Sequence, residues 1–388
     1  MSRDGLTTPR HCSAHRWQSL RAAVRRDIAI LTYNRRVIAL ETLQETLAAL
    51  GAPRYRATQV YQALTRELVT SFAAISTLPA ELRRDLAAQL EPVLLDAVEV
   101  RVSPRGDTRK TLFRARDGEP VEAVLMVYRE RATVCVSTQV GCAVRCAFCA
   151  SGAAGLRRDL SAEEMVDQVL HFARLLRDDD RRVTNVVFMG MGEPFLNYDE
   201  TLRACRLLND PAGIGLAARA ISVSTAGVVP AIARYAAEPL QLNLAVSLHA
   251  ATDELRDRLV PLNRQYPLTK LMAACAAYVA KTRRKLFFEW VVLPGVNDGD
   301  DQVAALGKLL RKPLYHLNLI AYNETGGEFA SPTAGELAAF RAKIERTRIA
   351  CTVRRSPGVE IDAACGQLAL RRVSPGGAPA ASAAGADQ

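Results

Sequence analysis

The 388-residue chain has no run approaching the ~18 consecutive apolar residues that span a bilayer, which excludes an integral helical membrane protein. Its N-terminus lacks the apolar stretch and small-residue cleavage site of a secretory signal, so a cytoplasmic location is expected, with no membrane partner. Cysteine is too sparse for a disulfide scaffold: nine residues, an odd number, are scattered over a long chain. That favours metal ligation or thiol chemistry. Acidic residues fall short of basic ones, 41 against 51, and the net charge of +10 suits either a polyanionic partner or a basic solubilising surface. What is present is 49% hydrophobic and 24% charged, the balance of a folded globular chain, not of a disordered or collagen-like one.

Residues 1–36 hold eight arginines against Asp4 and Asp27 and read as a basic extension, part-helical over Trp17–Leu31. Residues 37–97 repeat Leu40, Leu43, Leu47 and Leu50 at helical spacing, with further amphipathic turns over Tyr55–Leu68 and Pro79–Leu90, and read as a small helical domain. Alternation around a turn at Arg105-Gly106-Asp107 predicts a β-hairpin linker over 98–116. From 117 to 372, short apolar runs alternate with helical stretches. The runs are 133–138, 185–190, 220–225, 242–248, 286–293 and 316–322; the helices include Ala162–Arg177, Leu268–Lys281 and Asp300–Lys312. Six such units predict an α/β fold with a parallel sheet buried on both faces. An open six-unit β/α barrel fits the spacing, and a doubly wound sheet is the competing topology. The Gly/Pro/Ala/Ser tail over 373–388 cannot bury enough apolar surface to order itself.

The strongest chemical signal is Cys142-Ala-Val-Arg-Cys146-Ala-Phe-Cys149, directly after the first of the six strands. Three thiolates so spaced can face one soft-metal centre, and on a [4Fe–4S] cube they leave one iron for a small-molecule chelator. A structural zinc site asks for a fourth Cys or His, and none follows within twenty residues. Further polar groups close the other strands: Gly190-Met191-Gly192-Glu193 after the second, Ser224 on the third, Ser247-Leu248-His249 after the fourth and Asn323 after the sixth. In a parallel barrel these ends share the face that carries active sites. Singly, each has a plainer reading: Gly192 as a turn, Ser224 as a helix cap, His249 as a satisfied buried histidine.

The Cys-x3-Cys-x2-Cys motif with Phe148 before its last cysteine resembles the radical S-adenosylmethionine superfamily. Adding Glu122-Ala-Val-Leu-Met126, Cys135 leading into Cys142, Gly190–Pro194, Ser224–Pro230, Ser247–Ala250, Asp253–Arg264, Asn318–Asn323 and Glu360-Ile-Asp-Ala-Ala-Cys365, the chain resembles the RlmN-type RNA methyltransferases from about Leu40 to Leu370. The resemblance implies a [4Fe–4S] cluster on Cys142, Cys146 and Cys149, and S-adenosylmethionine held by Gly192, Glu193, Ser224, Ser247, Leu248, His249 and Asn323. It implies that Cys365 accepts a methyl group, that a radical on that methyl adds to an adenine ring carbon, that Glu122 removes the ring proton, and that Cys135 attacks the Cys365 sulfur to release methylated RNA and leave a disulfide. The expected substrate is C2 of an adenosine in 23S rRNA, with tRNA as a further target and C8 as the alternative position. A flavodoxin or ferredoxin would donate electrons, the helical domain would assist RNA binding, and the enzyme would be a monomer. Arg145, Arg157, Arg158, Arg181, Arg182, Arg283, Arg284, Lys285, Arg354 and Arg355 are candidates for a phosphate track. Two rivals stand beside this reading: a radical enzyme acting on another substrate, and a non-catalytic RNA-binding protein with a structural metal.

Overall fold

The computed structural model describes residues 39–354 and 357–368. The basic extension, the helix expected over Trp17–Leu31, Arg355 and the tail over 373–388 lie outside the described residues. The strands are β1 Leu95–Val102, β2 Thr108–Ala115, β3 Pro120–Val127, β4 Ala132–Cys135, β5 Gln139–Val140, β6 Arg158–Asp159, β7 Asn185–Phe188, β8 Ile221–Thr225, β9 Asn243–Ser247, β10 Leu286–Val292, β11 Tyr315–Ala321 and β12 Cys351–Arg354.

All but β5 and β6 form one sheet in the order β1-β2-β3-β4-β7-β8-β9-β10-β11-β12. From β4 onward every pairing is parallel and neighbours follow chain order. There is no reversal of strand order, hence no switch point of a doubly wound sheet. The result is an open β/α barrel. It has seven parallel strands where the sequence predicts six, the added one being β12 on the outer edge of β11.

The hairpin over 98–116 is no bridge between separate bodies. β1, β2 and β3 pair antiparallel with one another, and β3 pairs with β4, so they extend the barrel sheet. The physical reason lies in their apolar residues: Leu95, Phe113, Ala115 and Val121 enter the same core as Val134, Phe188 and Trp290. The helix Ala162–Arg177 shows how sequence sets an element here. Ser161 and Glu164 form a reciprocal capping box, and Met165, Val169, Phe172 and Leu176 recur at three- and four-residue steps on its buried face. Burying each such side chain contributes roughly 1.5–3 kcal/mol before the entropy of ordering it is counted.

The N-terminal helices Leu40–Ala49, Tyr55–Thr65 and Ala80–Gln89 close over their own core of Leu43, Leu47, Val60, Tyr61, Leu64, Phe72 and Leu86. They dock on the barrel through Tyr61 Oη, which donates to Asp210 at 3.0 Å, Arg66 Nε to the Gly213 carbonyl at 2.9 Å, and Arg177 to the Glu67 carbonyl at 2.7 Å. No helix among the described residues is long and apolar enough to cross a membrane.

Candidate active site

The cysteine loop is closed at its base by β5 pairing with β6. Gly141 makes that closure possible: its φ is +79°, and a Cβ there would sit 1.8 Å from the Gly155 carbonyl oxygen. Cys142, Cys146 and Cys149 pack with Val144, Phe148, Ala250 and Leu259 in one small apolar cluster. Burial pushes the Cys142 thiol up to about 12 and raises Cys146 well above its ordinary value, with the charges of Cys149 and Cys142 adding to the rise at Cys146. A cation beside Cys142 and Cys146 would favour their thiolates against this burial. Among the described residues no three His, Cys, Asp or Glu side chains converge on a single ion.

Glu193 and His249, at the ends of β7 and β9, are committed to protein partners. At Gly190 a Cβ would meet Ser137 Oγ at 2.6 Å; at Gly192, with φ +103°, it would meet Gln139 Cβ and Thr138 Oγ1 at 2.7 Å. These glycines are required by the approach of one strand end to another. Buried Glu193 accepts from the Ala226 N–H at 2.7 Å and the Phe195 N–H at 2.9 Å, tying the β7 loop to the β8 loop. Burial raises its pKa, and these N–H groups oppose the rise. His249 fits its plainer reading. Its Nδ1 accepts from the Val291 N–H at 3.0 Å, its ring meets Phe148 edge-on, and burial with the nearby Arg256 lowers its pKa to about 3. The neutral imidazole thus carries its proton on Nε2.

Arg256 binds this region together. It is almost fully buried and donates to the carbonyls of Leu248 at 3.0 Å, Ser247 at 3.0 Å and Ala226 at 2.7 Å, and to Asn263 Oδ1 at 2.9 Å. Its helix, Asp253–Leu259, holds the cysteine loop through the Ala147 N–H to the Leu259 carbonyl at 3.0 Å. Ser224 and Ser247 lie two residues beyond Ser222 and Ala245, which line the barrel cavity, and so point to the same face.

That cavity, of about 680 Å³, brings Cys135, Cys149 and Cys365 onto one space together with Met189, Glu289 and Arg354. The 357–368 segment crosses the barrel mouth to put Cys365 there. Asn323 Nδ2 donates to the Cys365 carbonyl at 3.2 Å, the Ala150 N–H to the Gly366 carbonyl at 2.9 Å, and Ser151 Oγ to the Leu368 carbonyl at 2.5 Å. The Cys365 loop is thereby fastened to the residues directly after Cys149. Cys365 is solvent-exposed, yet the protein around it raises its thiol pKa, and Arg354 opposes that rise. Cys135 is buried and pushed up to about 12, Cys365 being among the charges it feels. Glu122 is buried and ion-paired to Lys110 at 3.1 Å.

Residues 136–306 match the radical SAM superfamily. The chain is 44% identical over 339 residues to the probable dual-specificity RNA methyltransferase RlmN of Thermoanaerobacter sp. (strain X514), covering 87% of this chain and 97% of that one. It is 46% identical over 348 residues to the protein of that name from Chloroflexus aurantiacus, covering 87% and 92%. A crystal structure of a radical SAM methyltransferase from Sphaerobacter thermophilus superposes with a TM-score of 0.83 at 50% identity, covering 85% of this chain and 97% of that one. The chain belongs to the RlmN family of radical SAM RNA methyltransferases.

Family membership bears out the resemblance read from the motifs, and with it the open α/β barrel and an S-adenosylmethionine-dependent enzyme. Sequence reasoning passed over Lys110 and Glu289 and gave Arg256 no role of its own; Glu289 Oε1 accepts from Asn318 at 3.0 Å and from Arg354 at 3.3 Å. A signal for Glu289 was present: one acid inside the apolar run Leu286–Leu293. The proposed phosphate track is partly spent within the fold. Arg157 pairs with Glu119, Arg158 with Asp117 and Glu164, and Arg354 with Glu289, while Arg181 and Arg284 donate to the carbonyls of Tyr128 and Leu242. Arg145, Arg182, Arg283 and Lys285 remain exposed.

Proposed function

We propose that this enzyme methylates C2 of an adenosine in 23S rRNA and in tRNA, two substrates being in keeping with the dual specificity in the relatives' name, and that it works in the cytoplasm, where those RNAs are. Cys142, Cys146 and Cys149 would hold three irons of a [4Fe–4S] cluster, a donor set that suits them because their mutual repulsion asks for a large cationic centre. Glu193, Ser224, Ser247, Leu248, His249, Asn323 and the Gly192 turn would border S-adenosylmethionine. Bound together, cluster and S-adenosylmethionine supply the methyl group and a carbon radical able to take hydrogen from it, with electrons drawn from a flavodoxin or ferredoxin.

The two remaining thiols divide the work by environment. Cys365 stands open to the cavity, its thiol pKa raised by the protein around it with Arg354 opposing the rise, and accepts the methyl. Cys135, held near 12 by burial, stays a thiol and does not compete for it. Once the methyl carbon is joined to the adenine ring, Glu122 takes the ring proton, and the unpaired electron left on the ring passes to the one-electron couple that a bound cluster would supply. Cys135, its own proton removed, then attacks Cys365 Sγ. The S–S bond forms as the S–CH₂ bond breaks, and the released carbon takes a proton to become the methyl product.

The observation that carries this reading is the shared cavity, onto which Cys135, Cys149 and Cys365 all open. The test is anaerobic reconstitution followed by nucleoside analysis of 23S rRNA and tRNA transcripts. Four irons per chain and 2-methyladenosine in both RNAs are expected; bound zinc, or 8-methyladenosine, would overturn the corresponding part.

A further inference from the structure

The buried pair Lys110–Glu122 lies in the barrel sheet within two strands of Cys135. Lys110 of β2 stands opposite Val124 of β3, and Val124 stands opposite Cys135 of β4, so the three share one face in a row across the sheet. Glu122 is two residues from Val124 on the same face. The side chains of Lys110 and Glu122 are 3% and 2% exposed, with Nζ 3.1 Å from Glu122 Oε1. Nζ also donates to the Asp362 carbonyl at 3.0 Å, three residues before Cys365. One ammonium thus joins the carboxylate to the segment that delivers the reactive thiol.

A buried ion pair adds little to fold stability compared with apolar packing, because both charges lose their hydration. What it does here is specific. Without the ammonium, the Glu122 carboxylate loses an ionic tie to the segment that carries Cys365. We propose that Lys110 is the positioning residue for the base: its ammonium holds Glu122 against the Cys365 segment. The inference rests on the proposed role of Glu122 as proton acceptor and adds the group on which that role depends.

The experiment uses the full reconstituted chain and an in-vitro transcript of 23S rRNA. Mass spectrometry reads the methyl thioether on Cys365, and denaturing gels read the RNA–protein adduct. Lys110→Gln, which keeps a donor for the Asp362 carbonyl but not the charge, should load its methyl as the native chain does. It should then accumulate adduct, with resolution slowed about a hundredfold, as Glu122→Gln should too. Lys110→Arg, which restores the charge, should resolve the adduct. The proposal is overturned if Lys110→Gln releases methylated RNA at the native rate, if it fails to load the methyl, or if Lys110→Arg stalls as Lys110→Gln does. If Glu122→Gln itself shows no adduct, the role of Glu122 fails first and the positioning role fails with it.

Discussion

The two sides of the barrel mouth use polar residues in opposite ways. On the β8–β9 side, Glu193, His249, Arg256 and Asn263 are buried and spend their hydrogen bonds on backbone groups and on each other, fixing strand ends and the cysteine loop. On the thiol side, Cys135 and Cys365 meet across a cavity, and the contacts that bring them there come from a segment 230 residues away. The first side is a scaffold whose cost of damage is stability. The second is a working surface whose cost of damage is chemistry.

The sharpest way to break this contrast is to exchange one residue from each side. Cys365→Ala should abolish the methyl thioether and all RNA methylation, while urea unfolding of the metal-free chain stays within about 0.5 kcal/mol of native. Arg256→Met should do the reverse in kind. Four acceptors lose a buried donor, so the same unfolding measurement should show a loss of about 3 kcal/mol. If Cys365→Ala proves as destabilising as Arg256→Met, the division is wrong. Asn323→Ala tests the seam between the sides: it releases the Cys365 carbonyl, and should cost about 1 kcal/mol of stability and slow methyl transfer roughly tenfold.

The smallest effect lies away from the mouth. His171, on the buried face against Phe113, has its pKa lowered from 6.5 to about 4 by burial and by Arg174. The unfolded imidazole takes a proton below 6.5 and the folded one only below about 4, so stability falls as pH drops through that interval. The slope is about 1.4 kcal/mol per pH unit at 25 °C. His171→Gln should flatten the curve by one proton in acid unfolding titrations, with activity near neutral pH unchanged.

Local patterns were legible in the sequence, and long-range ones were not. The cysteine loop and the helix Ala162–Arg177 announce themselves because spacing and capping are properties of neighbouring residues. β12 escaped notice because Cys351-Thr-Val-Arg354 is short and half polar, and becomes a strand only by pairing with β11. The hairpin was visible, but its place in the barrel sheet depends on β3 pairing with β4, which alternation cannot reveal. That Gly190 and Gly192 are needed for protein packing depends on Ser137, Thr138 and Gln139, more than fifty residues earlier, and local spacing does not show it. The meeting of Cys135 with Cys365 followed from resemblance alone. Its physical basis is the crossing segment and its bonds to Asn323, Ala150 and Ser151.

The claim that one cavity serves both thiols is tested most directly by the Cys135→Ala chain, reconstituted without oxygen and given S-adenosylmethionine and RNA. Nuclease digestion followed by mass spectrometry should find one adenosine joined to Cys365 through a single carbon. Free methylated RNA in native yield, or attachment at any other residue, would contradict it.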